Sequence, residues 1–96
     1  MKIEINGHEY SFELNGFAPL YAYEVIMGEP FIGTSTRNIH VMSYSTLLSS
    51  NPHAPKLSLS QFTEWLYAHP VEEQAMAQAI LDEFTRRAAL MGKKKE

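Results

Sequence analysis

Apolar and polar positions alternate strictly at the start of the chain and then change to a helical spacing. Ile3, Ile5, Tyr10 and Phe12 alternate with Lys2, Glu4, Glu9 and Ser11, the period of a half-buried β-hairpin. Asn6-Gly7 lies between the two runs and tolerates the positive φ angles of a type I′ turn. With those two residues as the loop, Ile5 faces His8, Ile3 faces Tyr10 and Met1 faces Phe12. A slip of one residue would mix the apolar and polar sets, so turn and pattern agree on one register. Two strands alone are marginal in water, so the hairpin needs a second layer.

The remaining pattern predicts that layer as three to four helices. Asn15-Gly16 ends the second strand, whose apolar run reaches Leu14. Pro19 suits a first helical turn and Gly28 the position just past a helix end. Leu20, Tyr23, Ile26 and Met27 between them share one face. Thr36 is the expected N-cap of a second helix running to about Ser49, with Ile39, Met42 and Thr46 as its stripe and Val41, Tyr44 and Leu48 beside it. So wide an apolar face implies contact on more than one side. Asn51-Pro52-His53-Ala54-Pro55 breaks the helix. Ser58 with Gln61 fits a capping box, and Leu57 with Phe62 its hydrophobic staple. This third helix carries Phe62, Trp65 and Leu66 inward and stops near His69-Pro70. A last helix from Pro70 to Met91 carries Val71, Met76, Ile80, Phe84, Ala88 and Met91 in one stripe, with Leu81 adjacent. Glu72 and Glu73 at its start and Arg86 and Arg87 near its end match the helix dipole. Gly92 is the expected stop. The reading is an α+β domain over 1–92, a two-stranded antiparallel hairpin on a helical bundle, with 93–96 as a flexible basic tail.

Ninety-six residues with 45% hydrophobic content are enough for one small core. The absence of cysteine removes disulfides, thiolate metal sites and cysteine nucleophiles, and fits a reducing compartment. Met1 leads straight into the strand pattern without an apolar run of signal-sequence length, and no stretch reaches the ~20 apolar residues of a membrane helix. The net charge of −3 argues against a nucleic-acid partner, and Arg86 and Arg87 are offset by Asp82 and Glu83 one turn earlier.

The sequence offers little chemistry. His8, His40, His53 and His69 show no metal-site spacing; His8, His53 and His69 read as surface residues. No nucleophile elbow surrounds the many serines, and Ser58 reads as a cap. The five glycines are scattered singly, without a phosphate loop or dinucleotide fingerprint. Glu24 and Glu64 could be imagined as an acid/base pair, but solvated helix faces commonly carry such residues. No enzyme, cofactor or metal is expected. What stands out is apolar surplus: Phe31, Ile32, Trp65, Tyr67, Leu90 and Met91 exceed the needs of one small core. Each either closes the core or contributes to a protein-binding patch, where aromatic residues and Met are enriched.

The order of the pieces resembles the tail assembly chaperones of long-tailed bacteriophages and their prophages. The resemblance spans Phe12 to Phe84. It is carried by the strand Tyr10–Leu14, the helix Leu20–Gly28 followed by Pro30-Phe31, and the helix ending Ser45–Pro52. The entry Leu59-Ser-Gln-Phe-Thr-Glu-Trp-Leu66 and the helix after His69-Pro70 complete it. It implies a non-enzymatic protein of the bacterial cytoplasm that transiently binds the tape-measure protein and tail-tube subunits, through a helix-in-groove mode. It also implies a longer frameshifted form, and Gly92-Lys93-Lys94-Lys95 can be encoded by an A-rich slippery heptamer. Two other classes fit the residues: a small adaptor domain dimerising through its last helix, and a structural component that stays in the finished particle.

Overall fold

Asn6 and Gly7 take φ angles of 52° and 83° and fold the chain back on itself as a type I′ turn requires. In the computed structural model, which describes residues 1–94, β1 (Lys2–Ile5) pairs antiparallel with β2 (His8–Ser11). Ile5 lies opposite His8 and Ile3 opposite Tyr10. Met1 and Phe12 exchange both backbone bonds, at 2.8 and 3.1 Å. The register is therefore the one the alternation dictates. Ile3, Ile5, Tyr10 and Phe12 are buried, and Lys2, Glu4 and Glu9 face solvent. β2 stops at Ser11, short of Leu14, and beyond it the backbone of Glu13 bonds to the Ser50 side chain instead of to a strand.

Around Ser11 and Glu13 the outer edge of β2 is closed by the end of α2 (Thr36–Ser50) and its cap Asn51. The Asn51 side chain accepts from Ser11 N–H at 2.9 Å and donates to Ser11 C=O at 2.8 Å. Ser50 Oγ accepts from Glu13 N–H at 3.1 Å and donates to Glu13 C=O at 3.2 Å. These two side chains supply what a third strand would. Tyr10 Oη donates to Pro55 C=O and Tyr44 Oη to Leu57 C=O, pinning the proline-containing connection beneath the hairpin.

Local signals explain the helix ends. α1 (Ala18–Met27) has Pro19 in its first turn and closes on Gly28, whose left-handed φ of 74° lets its N–H reach Glu24 C=O at 2.8 Å. The cap of α2 is Ser35, one residue before the expected Thr36; Ser35 Oγ accepts from Asn38 N–H at 3.2 Å. Asn38 Nδ2 also donates to Ile32 C=O at 2.7 Å, which sets the chain's entry so that Ser35 holds the extended cap conformation. α3 (Leu59–Ala68) starts with the full capping box: Gln61 N–H to Ser58 Oγ at 3.1 Å, and Ser58 N–H to Gln61 Oε1 at 3.0 Å. Leu57 and Phe62 are both buried beside it, as a staple requires.

α4 (Pro70–Lys94) runs through Gly92, against the expected stop. Gly92 is absent from the positive-φ positions, so it stays right-handed, at a cost of about 1 kcal/mol relative to Ala. The expected tail therefore begins as helix, and its last two residues lie outside the described residues.

α2 is the central element, touching α1, α3, α4 and β2. Its wide face buries Ile39, Val41, Met42 and Leu47 together with Ser43, Ser45 and Thr46; Leu48 is exposed. Each buried hydroxyl donates one turn back: Ser43 to Ile39 C=O at 2.8 Å, Ser45 to Val41 at 2.7 Å, Thr46 to Met42 at 2.8 Å. Small, internally satisfied side chains let neighbours approach from several directions at no desolvation penalty.

The expected α4 stripe is correct only in its middle. Met76 and Ile80 are fully buried and Phe84 partly so, whereas Val71, Leu81, Ala88 and Met91 are exposed. At ~1.5 Å per residue α4 is roughly 37 Å long and α2 roughly 22 Å. The start of α4 is tied to α2 through Glu73 and His40, and its C-terminal end, exposed from Ala88 to Gly92, overhangs the body.

Candidate functional site

Trp65 is 7% exposed, stacked on Phe62 at 6.4 Å and on the His69 ring at 4.3 Å between centroids. Of the two readings left open for Trp65, it is core. His69 is likewise no free surface residue: it caps α3, half-buried, with Nδ1 at 2.8 Å from Trp65 C=O. Phe31 also leaves the candidate patch. Its ring meets Tyr23 edge-on at 5.1 Å and stacks on Phe84 at 5.2 Å, so it plugs the space between α1 and α4.

Ile32, Tyr67, Leu90 and Met91 are exposed, but they do not meet. Tyr67, 92% exposed, sits beside the start of α4, and Met91 lies roughly 30 Å along the same helix. Ile32 is in the α1–α2 connection. The six residues form no single surface.

The apolar surface that does form a row lies on α1. Phe17, Tyr21 and Val25 recur every four residues on the helix face opposite buried Tyr23, and Val25 is 85% exposed. Phe17 and Tyr21 stack at 5.9 Å. The Arg87 guanidinium sits 4.7 Å above the Phe17 ring, joining this row to α4 one turn before Leu90 and Met91. The signal was in the sequence. Once Leu20, Tyr23 and Met27 are turned inward, α1 still carries apolar residues on its other side, and a helix apolar all round is either buried or covered by something else.

Polar groups converge at one further place. His40 Nε2 and Glu73 Oε2 lie 2.5 Å apart, both part-buried, and tie α2 to α4. They line a shallow groove of about 250 Å³ with Thr34, Thr36 and Gln74. The Nε2 nitrogen is taken by the Glu73 carboxylate, so it is not paired with a hydroxyl nucleophile. Among the described residues no group of three or more His, Cys, Asp or Glu could hold a metal ion, and no helix is long and apolar enough to cross a membrane. Glu24 and Glu64 are exposed on α1 and α3. Arg86 binds Glu83 through two bonds, at 3.0 and 2.7 Å, and this pairing holds the Glu83 carboxyl below the usual carboxylate range. Asp82 accepts from Gln78 instead, at 2.8 Å.

Tyr23 Oη is a buried hydroxyl without a hydrogen-bond partner among the described residues. Burial pushes this phenol up from its ordinary value; Glu29 adds to the shift and Arg37 opposes it. An unpaired buried hydroxyl is a standing cost, so Tyr23→Phe should raise the unfolding free energy by about 1 kcal/mol. Urea denaturation checks this, and a loss of that size would mean that the hydroxyl has a partner in solution.

Comparison of the chain with protein-family models, curated proteins and solved structures finds no match.

Proposed function

We propose that this chain is a tail assembly chaperone of a long-tailed phage or prophage. It covers apolar stripes of the long helical tape-measure protein and helps recruit tail-tube subunits before the tail polymerises. The observation that supports this reading is the row Phe17, Tyr21 and Val25 on α1, continued across Arg87 toward the overhanging end of α4. An amphipathic helix laid along that row would bury its apolar face against these residues, the helix-in-groove mode. Arg87, already drawn over an aromatic ring, would lie at the rim, where a carboxylate of the incoming helix can pair with it. The role is non-enzymatic: area is lent and withdrawn, and no bond is made. The order of elements from Phe12 to Phe84 favours the same function.

The test is co-expression with a tape-measure protein. The wild-type chain should keep that protein soluble and be absent from finished particles. A Tyr21→Glu/Val25→Glu double variant should melt within a few degrees of wild type, since exposed substitutions cost about 0.5 kcal/mol or less, yet lose most of the soluble partner. Equal solubility with the variant, or persistence of the chain in mature particles, would overturn the reading. An A-rich heptamer over the Gly92–Lys95 codons with an open overlapping frame would add to it.

A further inference from the structure

The two edges of the hairpin are treated differently. Hydrogen bonding alternates along the ladder: Met1 and Phe12 exchange bonds, so Ile3 with Tyr10 and Ile5 with His8 do so too. The backbone groups of Lys2 and Glu4 therefore point away from β2. On the β2 side the outward groups of Ser11 and Glu13 are taken by Asn51 and Ser50, which leaves only those of Glu9 without a bond among the described residues. Among the described residues nothing bonds the outward N–H and C=O of Lys2 or Glu4, and β2, not β1, is the strand next to α2.

We propose that the open edge of β1 pairs antiparallel with β1 of a second copy of this chain, about a two-fold axis through Ile3, giving a continuous four-stranded sheet. Charge selects both the occupant and the register. Centring on Ile3 sets Lys2 of each copy opposite Glu4 of the other, as a pair exchanging both backbone bonds. Centring on Lys2 or on Glu4 sets like charges opposite one another, which destabilises a ladder. Charged side chains usually blunt an edge strand. Here they are of opposite sign two residues apart, so under two-fold symmetry they become the matching elements.

A second observation concerns Glu4. It lies directly across from Glu9, a like-charge pair. The nearby Lys2 is spent on Glu9 at 4.0 Å and Ser11 Oγ at 3.3 Å, and among the described residues Glu4 has no ion-pair partner. In the proposed sheet Lys2 of the second copy sits beside Glu4 and relieves that repulsion. Ile3 and Ile5 are already buried within each copy, so on the apolar face only Met1, 44% exposed, has surface to add. The contact is small, so the dimer is weak and reversible, with a Kd on the order of 100 μM.

Sedimentation equilibrium on the full chain, with any tag kept at the C-terminal end, tests this. Wild type should self-associate in that range. Lys2→Glu and Glu4→Lys should each weaken association by about tenfold or more, because each places like charges opposite across the axis. Mixed in equal amounts, the two single variants should form a heterodimer within about threefold of the wild-type Kd, since the charges then match again. The double variant Lys2→Glu/Glu4→Lys should likewise recover homodimerisation. Circular dichroism melts establish that each variant is folded. A wild type that stays monomeric at 1 mM, order of magnitude, would overturn the proposal. So would single variants that dimerise undiminished, or a mixture and a double variant that both stay monomeric.

Discussion

Trp65→Ala should lower the unfolding free energy by about 3–5 kcal/mol. The indole is 7% exposed, between Phe62 and the His69 ring, and truncation leaves a void that α3 and α4 cannot both close. The loss should exceed the transfer term, because His69 would also lose its stacking partner while its Nδ1 remains at Trp65 C=O. For a domain of this size the total stability is about 5–10 kcal/mol, so the variant should be partly unfolded at 37 °C. Urea denaturation gives the number. A loss under about 1 kcal/mol together with lost partner binding would move Trp65 from the core to an interface.

Asn51→Ala should cost about 2–3 kcal/mol, far more than its place in a proline-containing connection implies. Its amide makes three bonds at once: from Ser11 N–H at 2.9 Å, to Ser11 C=O at 2.8 Å and to Leu47 C=O at 2.7 Å. Removing it strands both outward groups of Ser11 in a half-buried place and detaches β2 from the end of α2. Asn51→Asp should do no better. It keeps the acceptor, but it turns a charge toward two carbonyls at a helix C-terminus, where anions are disfavoured. Amide hydrogen exchange separates this account from a loss of helix capping: the Ser11 amide should exchange much faster in Asn51→Ala, while the last-turn amides of α2 change only with global stability.

The hairpin was legible residue by residue because turn chemistry and alternation are local and agree. The same holds for the α3 start, where Leu57, Ser58, Gln61 and Phe62 fall within six positions of one another and need no other part of the chain. Reading was weaker where local signals competed. Ser35 and Thr36 are both good caps, and Asn38 reaching back to Ile32 decided between them. Gly92 looks like a stop, yet only a left-handed φ makes it one.

The candidate surface was the least legible. A one-dimensional count of apolar residues groups Trp65 and Phe31 with Tyr67, Leu90 and Met91, because it cannot see which ones find a cavity. Such a count passes over the row on α1 for the same reason. Tyr23 and Tyr21 are equally apolar in the sequence, and one is fully buried while the other lies in the open.

Strand pairing, turn type, capping box and helix number follow from contacts a few residues long, where sterics and hydrogen bonding act on neighbours, and the chain alone dictated them. Which side of each helix is covered, and where α4 outruns its support, depends on how elements of unequal length pack. The closing of the β2 edge by Asn51, forty positions along the chain from Ser11, depends on it too. Packing is a property of the assembled layers, so these features were settled only when the layers met.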